Sequence, residues 1–281
     1  MRKLSLALGM LAIAGTAMAQ LMTSEDGNTV AIFRTKDNAF TLNSAPDAGT
    51  PNLQYHGGPV ITNAKAVAIF WGGEWGTQSL PSALASEINA FNANFGSTGE
   101  YNVITQYSGI QPASLSNTYW VETVNPPVNV TDTKLRNKVK KYLNTFTGGI
   151  ADPSTVYSVY LPSTSYSSNG SSTSCGGTNL VYCAYHGHFT FNGVDVKYAS
   201  IPYPSCSGCQ WTGFSTAQNF EHFVCHETRE AVTDPDLNAW YDKFGAEADD
   251  KCAWSPAPFI DAGFGYQWEW SNIAHACVKT Q

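Results

Sequence analysis

Residues 220–235 read FEHFVCHETREAVTDP, and no other stretch constrains the fold as much. Ser215 suits a helix N-cap, and Gln218, three residues on, completes a capping box. Pro235 biases Asp234 away from helical backbone. The sequence therefore predicts a helix over residues 216–232. On a wheel of about 100° per residue, Phe220, Phe223, Val224 and Ala231 form an apolar stripe. Glu227 falls in the middle of that stripe. His226 and Glu230 share one edge of it, and His222 lies just beyond them. An unpaired buried charge is costly, so a fold that buries the stripe must give Glu227 a partner.

His226-Glu227 opens the HExxH signature of zinc proteases, with Glu230 at the place of the second histidine. Residues one turn apart can reach one ion. In metalloproteases the residues at i and i+4 hold zinc, and the glutamate at i+1 takes a proton from the water that the metal activates. Glutamate is an acceptable zinc ligand, and a catalytic site keeps three protein ligands plus water. The expected roles are therefore zinc ligation by His226 and Glu230 and general-base action by Glu227. Glu247 and Asp250, 17 and 20 residues beyond Glu230, are the candidates for third ligand. His186 and His188 are the alternatives. His222, two turns from Glu230, is a poor partner for the same ion. A bland reading stands beside this one. HExxE arises by chance in many helices, and then Arg229 and Glu230 are solvated and His226 bonds a carbonyl.

Arg2 and Lys3 precede an apolar run, and Ala17-Met18-Ala19 matches a cleavage site, as in a secretory signal peptide over residues 1–19. No later apolar run is long enough to span a bilayer. A secreted chain, extracellular or periplasmic, is expected, without membrane insertion. Without Arg2 and Lys3 there are 13 basic residues against 22 acidic ones, which argues against nucleic-acid partners. The basic stretch 134–141 reads as the solvated face of a helix. All seven cysteines lie between Cys175 and Cys277, and export makes disulfides the default. The expected pairs include Cys206–Cys209 and Cys252–Cys277, with one thiol left over. CxxC as half of a zinc site finds no second CxxC.

Residues 20–54 are polar and read as a loosely held N-terminal extension to a domain spanning 55–281. Strands are expected at Lys65–Trp71, 155–161, 180–183 (with 184–188 continuing from its end) and Val194–Ile201, and helices at 81–95 and 131–146. Residues 121–130 and 162–177 read as loops, and the chain beyond Pro235 as mostly loop. The order of elements points to a single α/β (α+β) domain: a mixed twisted sheet, packed helices, a zincin-like active-site helix and a loop-rich, disulfide-bonded C-terminal part.

Several segments count together: Tyr55-His-Gly-Gly-Pro-Val60, Cys183-Ala-Tyr-His-Gly187, Pro204-Ser-Cys-Ser-Gly-Cys-Gln-Trp211, Glu230-Ala-Val-Thr-Asp-Pro235 and Trp270-Ser-Asn272. In this order, over roughly residues 55–278, they resemble the phosphate-induced (EXORDIUM-like) protein family of plants and microbes. The resemblance implies secretion. Plant members lack the pair matching His226 and Glu227 and are described as wall-associated, whereas microbial members carry HExxEAxTDP with a following Glu-x-x-Asp before a cysteine. The expectation is a secreted zinc metallopeptidase acting on a peptide or protein substrate. The rival is a non-catalytic protein that binds a cell-wall polymer or carbohydrate, its metal structural or absent. A glycosidase using Glu227 and Glu230 is disfavoured, since residues three apart on one helix do not flank a sugar bond from both sides. His56 reads as a turn residue with a satisfied ring, and Trp268 and Trp270 as core or lid packing.

Overall fold

Along Lys65–Trp71 the side chains alternate between two cores. Ala66, Ala68 and Phe70 join one apolar cluster; Val67, Ile69 and Trp71 join the other. A strand apolar on both faces belongs in a sheet covered on both sides. The computed structural model, which describes residues 21–39, 51–113, 115 and 118–281, has that arrangement. The signal peptide expected over 1–19 lies outside the described residues.

Seven strands form the main sheet: β1 (Leu21–Thr23), β2 (Thr29–Arg34), β3 (Lys65–Trp71), β4 (Thr118–Glu122), β5 (Thr155–Tyr160), β6 (Tyr182–Phe191) and β7 (Val194–Ile201). Their order across the mixed, twisted sheet is β1-β2-β6-β7-β5-β3-β4. The first four neighbours pair antiparallel and the last four, from β7 to β4, parallel. Helix α1 (Ala83–Phe95) and the motif helix α3 (Thr216–Thr233) pack on one face. Helix α2 (Asp132–Phe146) packs on the other through Leu135, Val139, Tyr142 and Leu143. The fold is thus a mixed α/β domain with disulfides in its C-terminal part.

Four local expectations change. Residues 20–54, read as loosely held, supply β1 and β2 of the main sheet, and Val30, Ala31, Ile32 and Phe33 are buried there. Polar flanks hid a four-residue apolar run. Residues 121–130 and 162–177 hold short strands: Asn129–Thr131 pairs parallel with Tyr166–Asn169, which pairs with Ser172–Thr173. The basic face of α2 is not all solvated. Lys138 is buried, 4.0 Å from the Trp71 ring centroid and 3.4 Å from Glu122. Cys206 bonds Cys175 and Cys209 bonds Cys183, so the expected Cys206–Cys209 bridge is absent; the Cys252–Cys277 bridge is present. The two cysteines of CSGC flank a single 3-10 turn (Ser207–Cys209) and reach different sulfurs. These bridges fasten the approach to α3 onto β6 and the loop before it.

The C-terminal part is less loop-like than expected. Phe259–Asp261 pairs with Phe264–Tyr266, and Glu269–Ser271 with Ala276–Val278. The first hairpin lies on the outer side of α3. Gly265 permits this: a Cβ there would stand 2.5 Å from the Gln218 carbonyl oxygen. As a result α3 is covered by the sheet on one side and by the hairpin on the other, and residues 219–233 are all buried.

Candidate metal centre

The helix is built as its sequence predicts. Ser215 Oγ accepts the Gln218 N–H and Gln218 Oε1 accepts the Ser215 N–H. At the other end the Asp234 carboxylate accepts from the backbone N–H of Asn238 and Ala239. Between these caps the helix buries His226, Glu227 and Glu230, none more than 1 % exposed. Buried charge must be paired or bound to metal.

Three of the four ligand candidates from the motif region converge. His226 Nε2 lies 3.0 Å from Glu230 Oε2 and 3.5 Å from Asp250 Oδ1. Ligands about 2.1 Å from one tetrahedral ion stand roughly 3.4 Å apart. The carboxylates are each held by one oxygen. Glu230 Oε1 accepts the Asp250 N–H at 3.0 Å, and Asp250 Oδ2 accepts the Glu247 N–H at 3.1 Å. His226 Nε2 and Asp250 Oδ1 are buried and make no hydrogen bond. Buried polar atoms are otherwise nearly always satisfied. A cation among these three residues would satisfy both orphans, so the donor set fits a divalent ion. Of the two carboxylates expected downstream, Asp250 meets His226 and Glu230, whereas Glu247 Oε1 faces His186 Nε2 at 3.8 Å.

His186 enters from β6. Its register neighbours are Ala31 on β2 and Ala199 on β7, and cross-strand partners share a face. Two methyl groups leave room for the ring and for the carboxylates of α3 above it. His186 Nδ1 is 3.1 Å from Glu227 Oε2. Among the remaining candidates, His188 turns away to Asp195 at 3.0 Å and His222 bonds Gln267 at 3.1 Å. His56 stacks on Tyr241, with Nε2 3.2 Å from its carbonyl. Trp270 is core, and Trp268 packs edge-on against Phe259.

Partners invisible to the helix wheel complete the centre. Gln267 Nε2 donates to the Asp249 carbonyl at 2.8 Å, so its Oε1 is the atom that accepts from His226 Nδ1 at 3.2 Å. The proton thereby sits on Nδ1 and leaves the Nε2 lone pair facing Glu230 and Asp250. Phe33 of β2 stacks on the His226 ring at 4.0 Å, and Trp254 stacks on Phe33. Arg229, solvated on the bland reading, is fully buried. It pairs with Asp249 and with Glu269 at 2.7 Å and donates to the carbonyls of Glu100 and Gln267. The double acid in Ala248-Asp249-Asp250 was the one available signal: one Asp serves the histidine and the other the arginine.

Burial dominates the electrostatics. It pushes the Glu227, Glu230 and Glu247 carboxyls well above the usual range, and neighbouring carboxylates add to the shift. Burial also pushes His186 down to about 3, helped by His226 and His188. At His226 burial acts downward too, but the nearby carboxylates of Asp250, Glu227 and Asp249 outweigh it, raising the group to about 9 with no cation bound. A cavity of about 200 Å³, lined by Leu21, Asp234, Leu237, Tyr241 and Gly245, reaches the cluster at Glu247.

No family model matches the chain, and no curated protein or solved structure matches it. The resemblance to phosphate-induced proteins therefore rests on the quoted motifs alone. Three disulfides fit an exported protein. No helix among the described residues is long and apolar enough to cross a membrane.

Proposed function

We propose that this chain is a secreted, zinc-dependent hydrolase, a metallopeptidase in the first instance, of the microbial EXORDIUM-like type. The supporting observation is the convergence of His226 Nε2, Glu230 Oε2 and Asp250 Oδ1, two of them buried without a hydrogen-bond partner. In this reading these three residues hold the ion. A bound divalent ion would supply an activated water and polarise a carbonyl. Glu227, on the neighbouring face of the helix, accepts the proton of the attacking water. His186 orients Glu227 through Oε2, while Glu227 Oε1 has no hydrogen-bond partner and is the oxygen available to the proton. Gln267 and Phe33 fix the His226 ring. Substrate would enter by the cavity that ends at Glu247.

The burial of every ligand favours one rival, a structural ion in a non-catalytic wall-associated or carbohydrate-binding protein. Metal analysis of the purified chain, with cleavage of casein or gelatin by the wild type and Glu227→Gln, separates the two. The hydrolase reading expects about one or more divalent ions per chain, cleavage by the wild type and its loss in Glu227→Gln with metal retained. Bound metal without cleavage by either protein leaves the structural ion. No bound metal at neutral pH removes both.

A further inference from the structure

A second set of ligand atoms lies beside the first. His186 Nδ1 is 3.1 Å from Glu227 Oε2 and 3.8 Å from Glu230 Oε2. One ligand atom from each of the three residues falls within 4.8 Å of the others. Glu230 Oε2 belongs to both sets, since it also faces His226 Nε2 at 3.0 Å.

Two independent observations point to a cation in this second set. The first is charge. Glu227, Glu230, Glu247 and Asp250 are all buried, and among the described residues their ion pairs are with His186 and His226 rather than with lysine or arginine. One dication balances two of these carboxylates, and two balance all four. Ionised together, carboxylates so buried would cost several kcal/mol each, and a cation removes that cost. The second is the far side of His186. With its proton on Nδ1, toward Glu227, the ring turns the Nε2 lone pair toward Glu247 Oε1, 3.8 Å away. Both atoms are buried and make no hydrogen bond. A cation on Nδ1 would hold the ring with its proton on Nε2, turned toward that carboxylate.

We propose that the centre holds two divalent cations, the second between His186 Nδ1, Glu227 Oε2 and Glu230 Oε2, with Glu230 bridging the pair. This rests on the reading of His226, Glu230 and Asp250 as the first site. Ligand spacings of 3.1 and 3.8 Å bracket the roughly 3.4 Å expected around one tetrahedral ion. Glu247, which is not a ligand in either set, is the carboxylate that faces His186 Nε2 from outside the site. Glu227 reaches the second ion through Oε2 and keeps Oε1 for the proton.

The test is a cobalt titration of the metal-stripped, full mature chain, followed by visible absorption and by elemental analysis after desalting. The wild type is expected to saturate at two equivalents and His186→Ala at one, with magnetic coupling between the two cobalt ions in the wild type and none in the variant. The wild-type stoichiometry and coupling decide the matter even where His186→Ala does not fold. Saturation at one equivalent overturns the second site and leaves the hydrolase reading standing, with His186 an orienting residue for Glu227. No uptake overturns both readings together.

Discussion

The side-chain oxygen of Gln267 lies 3.2 Å from Nδ1 of His226, while its amide nitrogen donates to the Asp249 carbonyl. The second contact fixes the first, because a backbone carbonyl only accepts. Loss of the amide frees the histidine to take the other tautomer. Gln267→Ala is expected to weaken divalent-ion binding by about 10- to 100-fold. Competition against a chromogenic chelator measures this, and unchanged affinity would show that the tautomer is set elsewhere.

Much of this centre was legible in the sequence, and the part that was not has a common cause. Ser215, Gln218 and Pro235 mark the ends of α3 through local hydrogen bonding and backbone restriction, so the helix could be placed to within a residue. Glu227 could be put inside the apolar stripe by periodicity. Gln267, Glu269 and Phe33 lie 30 or more residues from the motif or on another strand, and nothing local announces them. The wheel alone does not say what covers the outer face of α3. On the bland reading that side meets water, as on a surface helix, but the Phe264–Tyr266 hairpin covers it, and Arg229 is a buried ion. Residues 20–54 were misread for a related reason: Val30–Phe33 is too short a run to outweigh its polar flanks in composition, yet pairing with β6 buries it completely.

That pairing bears on whether the N-terminal segment is a removable propeptide. Phe33 stacks on His226, and β2 lies between β1 and β6. Removing residues 20–50 would strip two strands and expose the edge of β6. Such a truncation is expected to lose cooperative urea unfolding, and Phe33→Ala alone to cost about 3–5 kcal/mol. A truncated chain with wild-type stability would show that the segment is removable.

Glu221 offers a test of burial away from the ligands. Its Oε2 accepts the Gly265 N–H at 2.7 Å, and burial pushes the carboxyl up to about 8 from an ordinary 4.5. Between those two values the folded chain holds a proton that the unfolded chain has released. Stability therefore falls as pH rises from the lower value through the upper one, by an amount on the order of a few kcal/mol. Glu221→Gln removes this dependence. The variant-minus-wild-type difference in Tm should be near zero at pH 4 and grow to a plateau above pH 8. A difference of the same size at both ends of that range would mean that Glu221 ionises normally.

Three bridges leave Cys225 as the free thiol, fully buried on α3. Burial raises its pKa, so little thiolate forms, and no reagent reaches it in the folded chain. Iodoacetamide should leave the native protein unmodified and add a single label, at Cys225, after denaturation without reductant. Peptide mapping of the same sample should return Cys175–Cys206, Cys183–Cys209 and Cys252–Cys277. Labelling of Cys206 or Cys209 would contradict the observed pairing.

Arg229 places a single guanidinium between two buried acids, Asp249 and Glu269. Removing one partner of such a pair leaves charge uncompensated in a low-dielectric interior and costs about 3–5 kcal/mol. Arg229→Met is expected to lose that much in urea unfolding. Glu269→Gln should lose less, because Asp249 still balances the guanidinium. The double variant should be more stable than the sum of the two losses implies, since neutralising Glu269 removes part of the charge that Arg229→Met strands. The coupling should be on the order of 1–3 kcal/mol. Losses that simply add, within about 0.5 kcal/mol, would show that Glu269 is already protonated in the folded chain. Burial argues for that state, pushing the Glu269 carboxyl well above its ordinary value, while the charge of Arg229 opposes it, so the cycle measures which of the two forces wins.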